Sequence, residues 1–262
     1  MHNFLFGIYP YIAITVMILG SIIRYERDPF TWKSGSSQML RKRTFFWGSV
    51  LFHVGVLFIL GGHIAGLLVP ISVWEFLGVS HGAKQVLAMV SGGLAGLMAL
   101  AGALILLVRR LGDPRIMANS TIADTGILIL LGVQLVLGLA TVPVSAQHLD
   151  GSEMMLFINW AQAVVYFGAD PASYLIGASW VVKTHVLLGL TIFLLFPFTR
   201  LVHMISAPIR YVWRPGWQIV RTRRGARPSP RGLSPMPADP ARRDALDAAR
   251  ARLDAAIQHP GE

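Results

Sequence analysis

Five apolar stretches, at about 4–23, 47–69, 85–108, 122–146 and 182–206, constrain this chain more than any other feature. Each is long enough to cross ~30 Å of hydrocarbon as a helix of ~20 residues. An isolated strand there would leave its backbone N–H and C=O groups unpaired in lipid. The expected fold class is therefore all-α, a polytopic membrane protein built as a bundle of five transmembrane helices. The 54% hydrophobic and 14% charged composition agrees, because 262 residues cannot hide so much apolar surface in one soluble core. The first span has no basic segment before it and runs through Pro10 to Arg24 without a small-residue cleavage site, so it reads as an anchor rather than a signal peptide.

Loop charges orient the bundle. Arg24, Arg27, Lys33, Arg41, Lys42 and Arg43 lie between spans 1 and 2, Arg109, Arg110 and Arg115 between spans 3 and 4, and an Arg series from Arg210 follows span 5. The positive-inside rule puts these in the cytoplasm. Glu75, Lys84, Asp150, Glu153, Asp170 and Lys183 then face outside, with the N-terminus. Topology and tail account for most of the net charge of +10, and nucleic acid is not needed to explain it. The expected division is a transmembrane domain over 1–213 and a cytoplasmic Arg- and Pro-rich tail over 214–262. Within the tail, Leu246, Ala249, Leu253 and Ile257 recur at helical spacing. They predict a short amphipathic helix, either docked on a partner or anionic lipid or simply solvated.

Four of the eight histidines, His2, His81, His148 and His259, fall in loops or termini. The other four occupy two spans, His53 and His63 in the second and His185 and His203 in the fifth. An ionisable group within a membrane span is a functional candidate by default, and a hydrogen bond to a neighbouring helix explains one such histidine more readily than two pairs. The chemistry that wants this arrangement is two b-type haems, each held by an imidazole from either helix. Zinc competes for imidazole, but it gathers its ligands into one tetrahedron, usually with thiolate or carboxylate. The absence of cysteine removes thioether-attached haem and cysteine-ligated clusters from this chain.

Helical rise selects the pairing. His53 and His63 are ~15 Å apart along an ideal helix, and His185 and His203 ~27 Å. Spans 2 and 5 run in opposite directions, so the outer ends, His63 and His185, meet, as do the inner ends, His53 and His203. Irons midway between such ligands would be roughly 21 Å apart, whereas the crossed pairing leaves roughly 6 Å, too little for two macrocycles. The unequal displacements strain this picture, and Pro197 is placed to kink span 5. Gly55, Gly62, Gly66 and Gly189 lie close in sequence to the histidines and serve either a flat ring or close helix packing. "SGGLAG" in span 3 reads as packing alone.

Several segments resemble a known family. "IYPYIA", "TWKSGSSQML", "LFHVGVLFILGGHIAG", "VSAQHLDGSEMM" and "LLFPFTRLVH" occur in order over residues 1–213. With these the chain resembles the gamma subunit, a cytochrome b, of the membrane-bound respiratory nitrate reductase. The resemblance implies a subunit of the bacterial inner membrane that oxidises quinol near the outer face. Electrons would pass through a distal haem held by His63 and His185 and a proximal haem held by His53 and His203. They would continue to an iron–sulfur beta subunit and a molybdenum-containing alpha subunit, where nitrate is reduced.

Quinol oxidation releases two electrons and two protons, so it needs a group to grip a ring oxygen near the outer haem. Lys84, at the outer start of span 3, is the nearest cation in sequence to His63, and related cytochromes are similar in placing a lysine there. Its plainer role is snorkelling to headgroups. His148, Asp150 and Glu153 lie on the same side as proton acceptors or as parts of a capped loop. Ser36, Ser37 and Gln38 resemble the family's docking surface for the beta subunit. Two alternatives remain: a dihaem cytochrome b of another respiratory reductase, and a histidine-dependent transporter, which would show inverted repeats and broken helices.

Overall fold

The apolar stretches become helices, and side-chain caps fix the starts of the last three. In the computed structural model, which describes residues 1–32, 40–147 and 149–206 together with Asp244, Asp247, Ala248 and Ala251, every regular element is helical. These residues fall in two units, Met1–Ala207 and Pro208–Glu262. The first unit carries eight α-helices: α1 (Tyr9–Arg27), α2 (Lys42–His63), α3 (Ile71–Phe76), α4 (His81–Leu111), α5 (Pro114–Ala118), α6 (Ile122–Ser145), α7 (Ser152–Val165) and α8 (Trp180–Leu195). Ser80 caps α4 and Ser179 caps α8 by accepting the N–H three residues on. Thr121 and Asp124 form a reciprocal capping box at the start of α6.

Five segments are long and apolar enough to cross a membrane: Phe4–Arg27, Lys42–Leu68, His81–Leu111, Ile122–Ser145 and Trp180–Phe198. They match the five expected spans, with one correction at the fifth. Expected through 206, it ends as an α-helix at Leu195 and continues as two 3₁₀ turns, Phe196–Phe198 and Arg200–Met204. Proline lacks an N–H and clashes with the preceding turn, so Pro197 breaks the helix rather than kinking it.

Hydrogen bonds at the two ends of the bundle show its up-and-down course. At one end Arg41 pairs with Asp113 at 2.7 Å, Arg109 donates to the Leu40 carbonyl, and Arg110 donates to the Asp124 carbonyl. The Arg41 guanidinium holds the Asp113 carboxyl below the usual carboxylate range, so this clasp is present at neutral pH and weakens as pH falls through that lowered value. At the opposite end the Trp160 indole donates to the Phe6 carbonyl, and Gln85 donates to the Ser145 carbonyl. Gln162 of α7 donates to the carbonyls of Leu67 and Val69, which a π-helical turn, Ile64–Leu68, would otherwise leave open after α2.

Packing runs in sequence from α2 to α4, α4 to α6, α6 to α8 and α8 to α1. The α2–α4 seam is built on small residues, as expected where lipid supplies no hydrophobic drive between helices. A Cβ on Gly102 would strike the Phe52 backbone nitrogen and come within 2.8 Å of the Gly48 carbonyl, and one on Gly55 would lie 2.7 Å from the Ala99 nitrogen. A buried cluster of Phe6, Ala13, Trp160, Leu175 and Leu190 fills the end near the N-terminus, and a second, of Ile127, Ile192, Phe196, Leu201 and Val202, the basic end.

α7 was not expected as an element. It lies between the fourth and fifth spans and packs on Ile64–Leu68 and the 3₁₀ turn Pro171–Leu175. In the second unit, Asp244, Asp247, Ala248 and Ala251 are helical and exposed. The apolar positions proposed for the tail helix, Leu246, Ala249, Leu253 and Ile257, lie outside the described residues, as do Ser36, Ser37, Gln38 and His148.

The seam makes a stability prediction. Gly102→Val should lower the melting temperature of the detergent-purified protein, overpacking costing about 1–3 kcal/mol. Gly126→Ala, where a Cβ meets nothing within 4 Å, should leave it unchanged.

Candidate functional site

The four histidines of the spans meet in two pairs. His53 and His63 stand on α2, His185 on α8, and His203 on the 3₁₀ turn Arg200–Met204. The ring centres of His53 and His203 are 6.3 Å apart, and those of His63 and His185 are also 6.3 Å apart. Antiparallel spans predict this pairing. The backbones of α2 and α8 do not pack closely, although His63 and His185 bring their rings together between them. A metal–imidazole nitrogen distance of about 2.0–2.1 Å, with about 1.1 Å more to each ring centre, sums to roughly 6.3 Å across a two-imidazole metal site. The observed ring-centre spacing is close to that sum, so these are the residues that would hold a metal at each pair. Among the described residues no three His, Asp or Glu side chains converge as a zinc tetrahedron would require.

Three of the rings are oriented by the backbone of their own turn. A carbonyl can only accept, so Nδ1 of His53 donates to Ser49 at 2.7 Å, Nδ1 of His63 to Ile59 at 2.8 Å, and Nδ1 of His203 to Arg200. With Nδ1 protonated, the lone pair sits on Nε2, and this is how a metal-ligating histidine is commonly fixed. His185 is arranged differently. Its Nδ1 is buried without a partner, and Gln134 of α6 donates to the His185 carbonyl at 3.1 Å while lying 3.5 Å from its Nε2. Gly138 leaves room for the ring, since a Cβ there would be 3.0 Å from Cε1.

The break in the fifth span resolves the unequal displacements. α8 ends ten residues after His185, an axial advance of ~15 Å that equals the one from His53 to His63. Beyond it the chain turns sharply, with Thr199 extended at φ −118° and ψ 179° and its hydroxyl accepting from Leu201 N. His203 is thereby brought beside His53 instead of continuing along the helix axis. The two continuous helices behind the expected separation of roughly 21 Å are thus not both present, since the fifth span is helical only to Leu195.

The glycines divide by role. Cβ atoms on Gly62 and Gly66 would meet nothing within 4 Å, whereas Gly55 is pressed against α4 and Gly189 faces Gln134. "SGGLAG" does not serve packing alone: Gly96 fits against Leu139, but Gly92 and Gly93 face open space.

Lys84 is only 3% exposed, and its Nζ has no hydrogen-bond partner, lying 4.8 Å from the centre of the Trp74 ring. It does not snorkel. A cation over an indole face is attracted by the ring quadrupole, and Trp74, which sequence reasoning missed, is exposed to view only by the fold of α3. Trp74 Nε1 and Glu153 Oε2 are also buried without a partner. Among the described residues no hydrogen bond joins Lys84 to His63. Asp150 accepts from the backbone and hydroxyl of Ser152, as a capped loop does. Gly151 beside it adopts φ +87° against His81, a conformation suited to glycine.

Comparison with known proteins gives a consistent result. The family model described as the nitrate reductase gamma subunit matches residues 2–223, past the limit of about 213 set by the sequence motifs. The chain is 50% identical over 226 residues to the respiratory nitrate reductase 2 gamma chain of Escherichia coli (strain K12), covering 86% of this chain and 98% of that one. It is 46% identical over 224 residues to the respiratory nitrate reductase 1 gamma chain of the same organism, covering 85% and 98%. It is 38% identical over 210 residues to the nitrate reductase gamma chain of Bacillus subtilis (strain 168), covering 80% and 94%.

Burial of Lys84 predicts chemical protection. A water-soluble amine-reactive reagent at mildly alkaline pH should modify exposed Lys42 and spare Lys84, read by peptide mass spectrometry. Equal labelling of the two would return Lys84 to the headgroup region.

Proposed function

The chain belongs to the nitrate reductase gamma subunit family, and on that premise we propose that it oxidises membrane quinol near the outer face and delivers the electrons inward. As a member of that family it is a membrane-spanning subunit of an oxidoreductase complex and associates with other nitrate reductase subunits. The proposed partners are an iron–sulfur beta subunit and, beyond it, a molybdenum-containing alpha subunit in the cytoplasm. The proposed location is the bacterial inner membrane, N-terminus outside. The clustering of Arg24, Arg41, Arg109, Arg110 and Arg200 at one end supports this orientation. We assign the transmembrane domain to residues 1–213 and a cytoplasmic tail to 214–262.

The observation that carries the proposal is the two imidazole pairs at 6.3 Å. His63 and His185 would hold the outer, distal haem, and His53 and His203 the inner, proximal one. Bound there, two b-type haems supply one-electron carriers at two depths of the bilayer. The chain's own residues set their environment. The Ser49, Ile59 and Arg200 carbonyls hold three ligand rings with Nε2 free, and the open space at Gly62 and Gly66 leaves room for a flat ring.

Quinol itself gives up two electrons and two protons. Lys84 would grip one of its oxygens through Nζ–H, an ammonium donor that has no other hydrogen-bond partner, while the protons leave toward the outer face. Nitrate reduction belongs to the partner subunits.

Haem content tests this assignment. The purified chain should carry two b haems, and a ratio of one or none would sink it. His63→Ala or His185→Ala should remove the outer haem and quinol-driven reduction with it. His53→Ala or His203→Ala should leave the outer haem reducible by quinol and interrupt the path inward. Lys84→Ala should keep both haems while slowing quinol turnover roughly ten- to a hundredfold, from loss of a charged hydrogen bond of ~1.5–3 kcal/mol. Co-purification with mass spectrometry identifies the electron acceptor.

A further inference from the structure

We infer that Arg24, which loop-charge counting assigns to topology alone, is the positioning residue that holds His203 opposite His53; the inference rests on the proposal that His203 is an inner-haem ligand. Breaking the fifth span after Leu195 leaves carbonyls with no helical partner at the edge of the membrane, where an unpaired backbone group is costly. Arg24, in the last turn of α1, supplies the missing donors. One terminal nitrogen, Nη1, donates to the Pro197 carbonyl at 2.6 Å and the Thr199 carbonyl at 2.9 Å. The other, Nη2, donates to the Thr31 carbonyl at 2.7 Å, and Nε donates to the Thr31 hydroxyl at 3.3 Å. The guanidinium thus ties α1, the turn after it and the broken end of α8 together by four hydrogen bonds.

A second contact locks the same segment. Pro197 sits directly on Gly20 of α1, where a Cβ would come within 2.8 Å of the proline ring. Downstream, Leu201 and Val202 are buried, Asp124 faces Arg200 at 3.6 Å, and Trp32 donates to Ser206. His203 lies between these anchors, four residues after Thr199. Arg24 is the one that grips the two carbonyls flanking the turn itself. Lysine cannot replace it, since an ammonium lacks the planar fork that spans Pro197, Thr199 and Thr31 at once.

The test uses the assembled complex with Arg24→Leu, Arg24→Lys, Gly20→Leu and His203→Ala. Haem content, the low-temperature spectrum resolved into two haems, and both midpoint potentials are measured. His203→Ala identifies the inner-haem signal. Arg24→Leu should weaken, shift or abolish that signal while the outer haem keeps its spectrum and potential, which also certifies folding. Gly20→Leu should act on the same haem, and Arg24→Lys should restore protein level without restoring the inner-haem spectrum and potential. An inner haem identical to the parent in Arg24→Leu overturns the inference. If Arg24→Leu fails to accumulate, an inner haem identical to the parent in Arg24→Lys overturns it instead. Two haems retained in His203→Ala would overturn the ligand assignment, and this inference with it.

Discussion

Two imidazoles with ring centres 6.3 Å apart cannot hydrogen-bond to each other. Even with nitrogens pointing inward, each about 1.1 Å from its ring centre, roughly 4 Å remains between them, beyond hydrogen-bond reach. The pairs therefore do not hold α2 and α8 together, and something else must keep the helices at that distance. On one side α2 is pulled onto α4 by the glycine contacts at Gly48, Gly55 and Gly102. On the other, α8 is fixed between α1 and α6, with Tyr9 and Thr191 sharing a hydrogen bond at 3.0 Å. Packing elsewhere thus sets the spacing at which the two histidine pairs meet.

The basic end serves that frame twice. Positive charge retained on one side of a membrane needs no partner to set orientation, yet these arginines are engaged. Arg109 reaches the Leu40 carbonyl and Arg110 the Asp124 carbonyl, while Arg24 reaches those of Pro197, Thr199 and Thr31. Helix ends and broken turns expose carbonyls, and guanidinium groups supply several donors each. A topology signal and a capping function thus occupy the same residues.

Much of this was legible from hydropathy and helical geometry. The fourth span, expected at 122–146, is Ile122–Ser145, because an uninterrupted apolar run between a Thr–Asp capping box and a polar loop has clear limits. The histidine pairing followed from antiparallel direction alone. The break after Leu195 was less legible: apolar residues resume at Leu201 and Val202 beyond Thr199 and Arg200, and Pro197 together with a Thr able to cap a new turn marks the change. α7 was hidden for the opposite reason. Ser152–Val165 is too short to span, follows a turn-forming Asp-Gly, and earns its helix from tertiary contacts with residues 64–68 and 171–175. Burial of Lys84 depended on Trp74, ten residues earlier and on a separate short helix, a proximity that no spacing rule encodes.

The two ends of the bundle use their polar groups differently. At the basic end, guanidinium groups close the exposed carbonyls of a broken helix. At the opposite end, Lys84 Nζ, Trp74 Nε1 and Glu153 Oε2 are all removed from solvent with no hydrogen-bond partner. A buried donor or acceptor left open costs about 1–3 kcal/mol, more when charged, so each such group needs a physical reason. The cation–π contact at 4.8 Å offsets part of the cost for Lys84 and leaves its N–H donors uncommitted. An ammonium stabilised by an aromatic face, with its donors free, is suited to meet the oxygen of a flat, apolar molecule entering from the lipid. On the proposal that this chain oxidises quinol, the uncommitted donors of Lys84 are the groups that would grip its oxygen.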